Sequence, residues 1–301
     1  MGMFNTRGLG PVPLIKRAVR DFMADDMMTY AAALAYRGLF SLFPFLLFLI
    51  AMLSFLNLED FFQWLHGQAA MALPPDALAQ VDPVIHQLQQ DRSGLFSLGV
   101  LVALWSASFG IQALMNAMNK AYKVEESRPF WQIFLLSIGY TVGVALLLIL
   151  AAALMILGPQ IMERVAGFVG MGDLVVIIWT WVRWPVAVLL MMTVVAWLYY
   201  VCPDVKQEFR FITPGSILAV IVWIAASVGF GIYVQNFGDY DAVYGSIGAI
   251  IILLLFFYIS AAVLLFGAEL NSVIEHASVE GKDPGQKDPN EGHPPGDASN
   301  V

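Results

Sequence analysis

The chain has 301 residues, of which 59% are hydrophobic and only 13% charged. A soluble domain carries about a quarter charged residues, so this much apolar surface calls for the bilayer as its solvent. The net charge of −8 excludes the broad basic surface that phosphate neutralisation needs, and nucleic acid is not expected as a partner.

The first thirty residues hold Lys16, Arg17, Arg20, Asp21, Asp25 and Asp26, with no compact apolar segment ahead of them. The first apolar run is therefore expected to be an uncleaved anchor. Leu14, Ile15, Ala18, Val19, Phe22 and Met23 recur at helical spacing within residues 13–28 and predict an amphipathic helix. Such a helix can lie along a membrane surface or dock on the protein's own cytoplasmic loops.

A span needs roughly 20 apolar residues. Six stretches qualify: Ala35–Leu56, Leu95–Met115, Ile133–Leu157, Leu174–Val201, Ile212–Val234 and Tyr244–Gly267. These runs do not alternate, which argues against a β-barrel. Pro44 predicts a kink in the first span, with the Ser41 hydroxyl available to a freed backbone group. Residues 57–93 read as short outer helices around Pro74-Pro75. Arg183-Trp184-Pro185 predicts a break in the fourth span, leaving an outer interfacial piece up to Val182 and a crossing helix from Trp184. The fold class expected is all-α, a polytopic membrane bundle. Residues 1–276 form a single transmembrane domain, and residues 277–301 a disordered cytoplasmic tail.

Basic residues set the orientation. Arg7, Lys16, Arg17, Arg20, Arg37, Lys120, Lys123, Arg128, Lys206, Arg210, Lys282 and Lys287 fall on one side; Arg92, Arg164 and Arg183 fall on the other. Both termini are thus expected in the cytoplasm.

Chemistry is sparse. Cys202 is alone, and His66, His86, His276 and His293 lack helical ligand spacing, so no metal site, cofactor or catalytic residue is expected. Asp25-Asp26 and Glu125-Glu126 read as solvated helix ends. In the second span Ser108, Gln112, Asn116 and Asn119 share one helix face, a face that lipid would penalise. It either bonds to neighbouring helices or lines a solute path. Glu269, at the inner end of the sixth span, joins that candidate path; an ion pair with Arg37 or Lys123 is the structural alternative. Asn236, Gly238, Tyr240, Tyr244 and Gly245 make a candidate outer gate, which interfacial aromatic anchoring could equally explain.

Several ordered motifs carry a resemblance: Ala31-Ala32-Ala33-Leu34-Ala35-Tyr36, Ser41-Leu42-Phe43-Pro44, Leu104-Trp105-Ser106-Ala107-Ser108, Asn119-Lys120-Ala121-Tyr122, Arg128-Pro129-Phe130-Trp131, Asn236-Phe237-Gly238, Tyr244-Gly245-Ser246-Ile247-Gly248-Ala249 and Gly267-Ala268-Glu269-Leu270-Asn271. Over roughly residues 15–275 the chain resembles the YihY/BrkB family of bacterial inner-membrane proteins. Arg37 departs from the uncharged residue expected there. The resemblance implies six helices in the inner membrane and brings a ribonuclease label, which the acidic charge and the absence of an acidic metal cluster argue against. The expectation is a non-enzymatic permease or exporter of a small solute or lipid-like molecule, with membrane lipids as partners and a homo-oligomer open. The alternative is a non-transporting envelope scaffold that organises lipids or partner proteins.

Overall fold

The computed structural model describes residues 10–54, 67, 96–169, 172–207, 211–236, 246–278 and 285–288. The segment 57–93, apart from residue 67, and the gate positions 238, 240, 244 and 245 lie outside the described residues.

Among the described residues the regular elements are seven α-helices: α1 (Pro11–Ala24), α2 (Met27–Ser54), α3 (Phe96–Ala121), α4 (Phe130–Val169), α5 (Gly172–Val201), α6 (Pro214–Asn236) and α7 (Ser246–Ala277). Helices α3 to α7 each hold a segment long and apolar enough to cross a membrane: Val100–Ala121, Phe130–Ala151, Ile178–Val201, Pro214–Val234 and Ile250–Ala277. Helix α2 overlaps the first expected span, and its 28 residues reach about 40 Å at about 1.5 Å per residue; among the described residues five spans qualify where six were expected. The side chains near the C-terminal end of α2 lie outside the described residues. The fold is a polytopic helical membrane bundle.

Helix α2 begins at Met27 rather than Ala35, and α4 runs from Phe130 to Val169 rather than from Ile133 to Leu157; four further differences each have a local reason. Helix α1 stops at Ala24 because Asp26 adopts a left-handed conformation (φ +54°) and its N–H bonds the Met23 carbonyl at 3.2 Å. Helix α3 continues past Met115 to Ala121. Asn116 and Asn119 lower the hydropathy there, but Ala117, Met118 and Ala121 favour a helix and are buried. Helix α7 continues past Gly267 because Leu270, Val273, Ile274 and Ala277 pack on Leu14 and Ala18 of α1. Helix α5 runs unbroken through Pro185, so the expected division at Arg183 does not occur; a helix in lipid has no water to take over its backbone bonds. Helix α2 likewise continues through Pro44.

The chain divides into two compact units. The second comprises residues Arg37–Gln112 and Phe130–Val194. Its core joins Phe48, Ala103 and Ala145, with Phe45, Val100, Leu104 and Val142 around them. Ser41 Oγ lies 3.0 Å from where a Cβ on Gly110 would sit, so α2 and α3 approach closely there. The Ser41 hydroxyl donates to the Gly38 carbonyl at 3.2 Å.

The first unit comprises residues Met1–Tyr36, Ala113–Pro129 and Val195–Val301. Helix α6 opens with a reciprocal cap. Ser216 N–H donates to Thr213 Oγ1 (3.1 Å), Thr213 N–H donates to Ser216 Oγ (3.0 Å), and Pro214 takes the first helical position, where no N–H is needed. Asn271 of α7 completes the cap, accepting from Gly215 N–H (2.8 Å) and donating to Thr213 Oγ1 (3.0 Å). Gly215 and Gly267 lie where the two helices meet, and a Cβ on Gly267 would stand 2.7 Å from the Gly215 carbonyl oxygen. Tyr199 donates to the Leu264 carbonyl at 2.6 Å, and Trp223 Nε1 to Ser260 Oγ at 3.0 Å.

Candidate functional site: a buried carboxylate and its charged surroundings

The polar face of α3 divides on folding. Ser108 is buried, and its hydroxyl donates to the Trp105 carbonyl of its own helix at 2.7 Å. Gln112 Nε2 donates to Ser137 Oγ of α4 at 3.1 Å. Both belong to the second unit, whereas Asn116, Asn119 and Glu269 belong to the first. Asn116 is exposed. Asn119 is buried with both ends of its amide engaged: Nδ2 donates to Glu126 Oε2 (2.8 Å), and Oδ1 accepts from Asp204 N–H (2.7 Å).

Glu126 is therefore no solvated helix end. Arg128 grips its carboxylate through Nε and Nη2, each at 2.7 Å, and also donates to the Cys202 carbonyl at 3.1 Å. Burial alone would raise the Glu126 pKa, but the hydrogen bonds and charge of Arg128 hold it below the ordinary value. Asp204 accepts from Ser127 N–H (2.9 Å), Ser127 Oγ (2.6 Å) and Lys287 Nζ (2.5 Å). Its partial burial opposes ionisation, yet these donors lower its pKa to about 2. Lys206 N–H donates to the Lys287 carbonyl at 2.8 Å, so residues 285–288 of the tail are anchored on the α5–α6 connection.

A second cluster gathers where α1 and α3 end. Lys123 terminates α3 in a left-handed conformation (φ +58°). Its N–H bonds the Lys120 carbonyl and Val124 N–H bonds the Asn119 carbonyl, both at 3.0 Å, a Schellman closure. A side chain in that conformation costs about 1–2 kcal/mol relative to glycine. Here the lysine is held by acids: Nζ lies 3.4 Å from Asp21 Oδ2 and 3.6 Å from Asp25 Oδ2. Lys120 pairs with Asp25 (3.4 Å), and Arg17 and Arg20 pair with Asp21 (3.7 and 3.3 Å). Asp25, too, is more than a solvated helix end.

Glu269 faces this cluster but does not join it. It is wholly buried, and neither carboxylate oxygen has a hydrogen-bond partner among the described residues. The expected pairing with Lys123 is not formed, because Asp21 and Asp25 already occupy that lysine. The charges of Asp25, Lys123, Asp21 and Lys120 nonetheless reach Glu269. Its charge also reaches Tyr122; burial, with the Glu275 and Glu269 charges adding, pushes that phenol well above its ordinary pKa.

Sequence reasoning picked out Glu269 and Asn119 but missed Asp21, Glu126, Arg128 and Asp204 as network members. The one signal was a buried acid on an amphipathic helix, since Asp21 sits one position from Phe22 and three from Ala18. Among the described residues no group of three or more His, Cys, Asp or Glu could hold a metal ion.

Long apolar helices, one of them carrying a buried acid beside a group of ion pairs, define a polytopic α-helical membrane protein. The chain belongs to the family described as virulence factor BrkB, which matches residues 18–291. It is 38% identical over 261 residues to YfkH of Bacillus subtilis (strain 168), named as a ribonuclease-like protein, covering 86% of this chain and 94% of that one. It is 28% identical over 256 residues to UPF0761 membrane proteins of Xanthomonas oryzae pv. oryzae (strain PXO99A) and Xanthomonas campestris pv. campestris (strain B100), and the match spans only 58% of their length. No solved structure matches the chain.

Proposed function

We propose that this protein is a permease or exporter of a small solute or lipid-like molecule, with Glu269 as its charge-handling residue. One observation carries the reading: a wholly buried carboxylate on a spanning helix, both oxygens unpartnered among the described residues. Ionisable groups inside membranes are costly and mark ion or substrate pathways by default. Asn116, the exposed amide of the α3 face, stays in the proposed path. Ser108, Gln112 and Asn119 contribute to it only if their present bonds exchange during the cycle. The gate of Asn236, Gly238, Tyr240, Tyr244 and Gly245 rests on the sequence. The Lys and Arg bias supports an inner-membrane protein with both termini in the cytoplasm. We do not extend the ribonuclease-like name to this chain, because its net charge of −8 opposes RNA binding.

The scaffold reading has its own support, since the Gln112 and Asn119 bonds are the packing role a scaffold would give them. Transport of charged solutes by reconstituted protein separates the two. Proteoliposomes on a solid support are challenged with organic anions, organic cations and zwitterions. The wild type should give a transient current for one class, and Glu269→Gln should lose it while remaining folded and monodisperse. Wild-type protein silent for every class, or a current unchanged in Glu269→Gln, would overturn the role given to Glu269.

A further inference from the structure

Helix α1 has two apolar faces, and the fold uses one of them. Leu14 and Ala18 pack on Leu270, Val273, Ile274 and Ala277 of α7, and the Phe22 ring meets Phe266 edge-on with centroids 5.6 Å apart. The other face stays bare: Val12, Ile15, Val19 and Met23, spaced three, four and four residues apart, are 61%, 44%, 45% and 60% exposed. Beside this stripe stand Lys16 and Arg20, both exposed. Lys16 meets no carboxylate among the described residues, and Arg20 shares Asp21 with Arg17 and Lys123 while its side chain stays 73% exposed. The helix is thus docked along one edge, apolar along a second and cationic along a third.

We infer that α1 lies in the headgroup layer of the membrane, its bare stripe sunk to the acyl boundary and Lys16 and Arg20 on anionic phospholipid headgroups. Three observations choose this occupant over a protein. The helix is docked at the polar end of a spanning helix, the level at which an apolar stripe meets lipid. The stripe is aliphatic and unbranched by any polar group, as partition into acyl chains favours. The residues bordering it are cations, which anionic headgroups attract at close range.

The test uses the full chain in bilayers. Val12, Ile15, Lys16, Val19, Arg20 and Met23 are changed one at a time to cysteine in a Cys202→Ala background and spin-labelled. Accessibility to oxygen and to a water-soluble nickel chelate is then measured in phosphatidylcholine and in phosphatidylcholine with phosphatidylglycerol. Labels at 12, 15, 19 and 23 should favour oxygen and those at 16 and 20 the chelate. Phosphatidylglycerol should shift the stripe deeper, and Lys16→Gln should return that depth toward its value in the neutral bilayer. Chelate-accessible labels along the stripe would overturn the proposal. So would labels shielded from both reagents, as a second copy or another protein would shield them, and so would equal depth in both bilayers.

Discussion

Two acids on touching helices meet opposite fates. Asp21 of α1 is ringed by Arg17, Arg20 and Lys123 at 3.3 to 3.7 Å, whereas Glu269 of α7 has no bonded partner among the described residues. Removing a partnered acid breaks ion pairs whose cations stay partly in solvent, while removing an unpartnered one relieves a desolvated group. Asp21→Ala should therefore destabilise the protein by about 1 kcal/mol, and Glu269→Leu should stabilise it by about 1–3 kcal/mol, as read by thermal unfolding in one detergent. A Glu269→Leu protein less stable than wild type would show that the carboxyl has a structural partner after all. Cys202 gives a second residue-scale expectation. Burial pushes its thiol up to about 12, although the Arg128 charge pulls the other way. Since only the thiolate reacts, maleimide should leave Cys202 unlabelled in folded protein at neutral pH and label it fully after denaturation.

At the scale of elements, the Gly267–Asn271 motif is explained by the pairing of α6 with α7. Gly267 removes the side chain that would strike Tyr199 Oη and the Gly215 carbonyl, as small residues do where membrane helices meet. Gly267→Ala should cost about 1–3 kcal/mol through overpacking. Asn271→Ala strips α6 of an external cap and should cost about 1 kcal/mol. Both are measurable by thermal unfolding; no loss in Gly267→Ala would mean that the helices part easily there. The ends of α3 and α7 were misjudged from hydropathy because each is finished by protein rather than by lipid. The α1 helix covers α7, and the Lys123 turn closes α3.

At the scale of the whole chain, residues 285–288 are tied back to the α5–α6 connection. Lys287 reaches Asp204, and the more exposed Lys206 pairs with Asp288 at 2.9 Å; the exposed pair contributes little. Asp204 has its pKa depressed from 3.8 to about 2. Its contribution is thus full above 3.8 and is lost as pH falls through about 2. A spin label at Gln286→Cys should be immobile at neutral pH and gain mobility as the solution is acidified through that window. In Asp204→Asn it should be mobile throughout. A label equally immobile in that variant would place the anchor elsewhere.

Apolar run length and continuity suffice to read a membrane bundle from the residues, because the bilayer imposes one requirement on every span: about 20 apolar residues with all backbone bonds made internally. That rule is local to each segment, and so is the amphipathic period of residues 13–28. The ordered motifs were enough to place the family. Whether a polar side chain is bonded or bare depends instead on residues far away in the chain. Asn119 looked like a path residue until Glu126 and Asp204 were found on its amide. Lys123 looked like a partner for Glu269 until Asp21 and Asp25 were found to hold it. Hydrogen bonds and ion pairs act over a few ångströms between segments that the sequence holds apart, so folding alone settles which polar groups are consumed and, among the described residues, leaves Glu269 without a bonded partner.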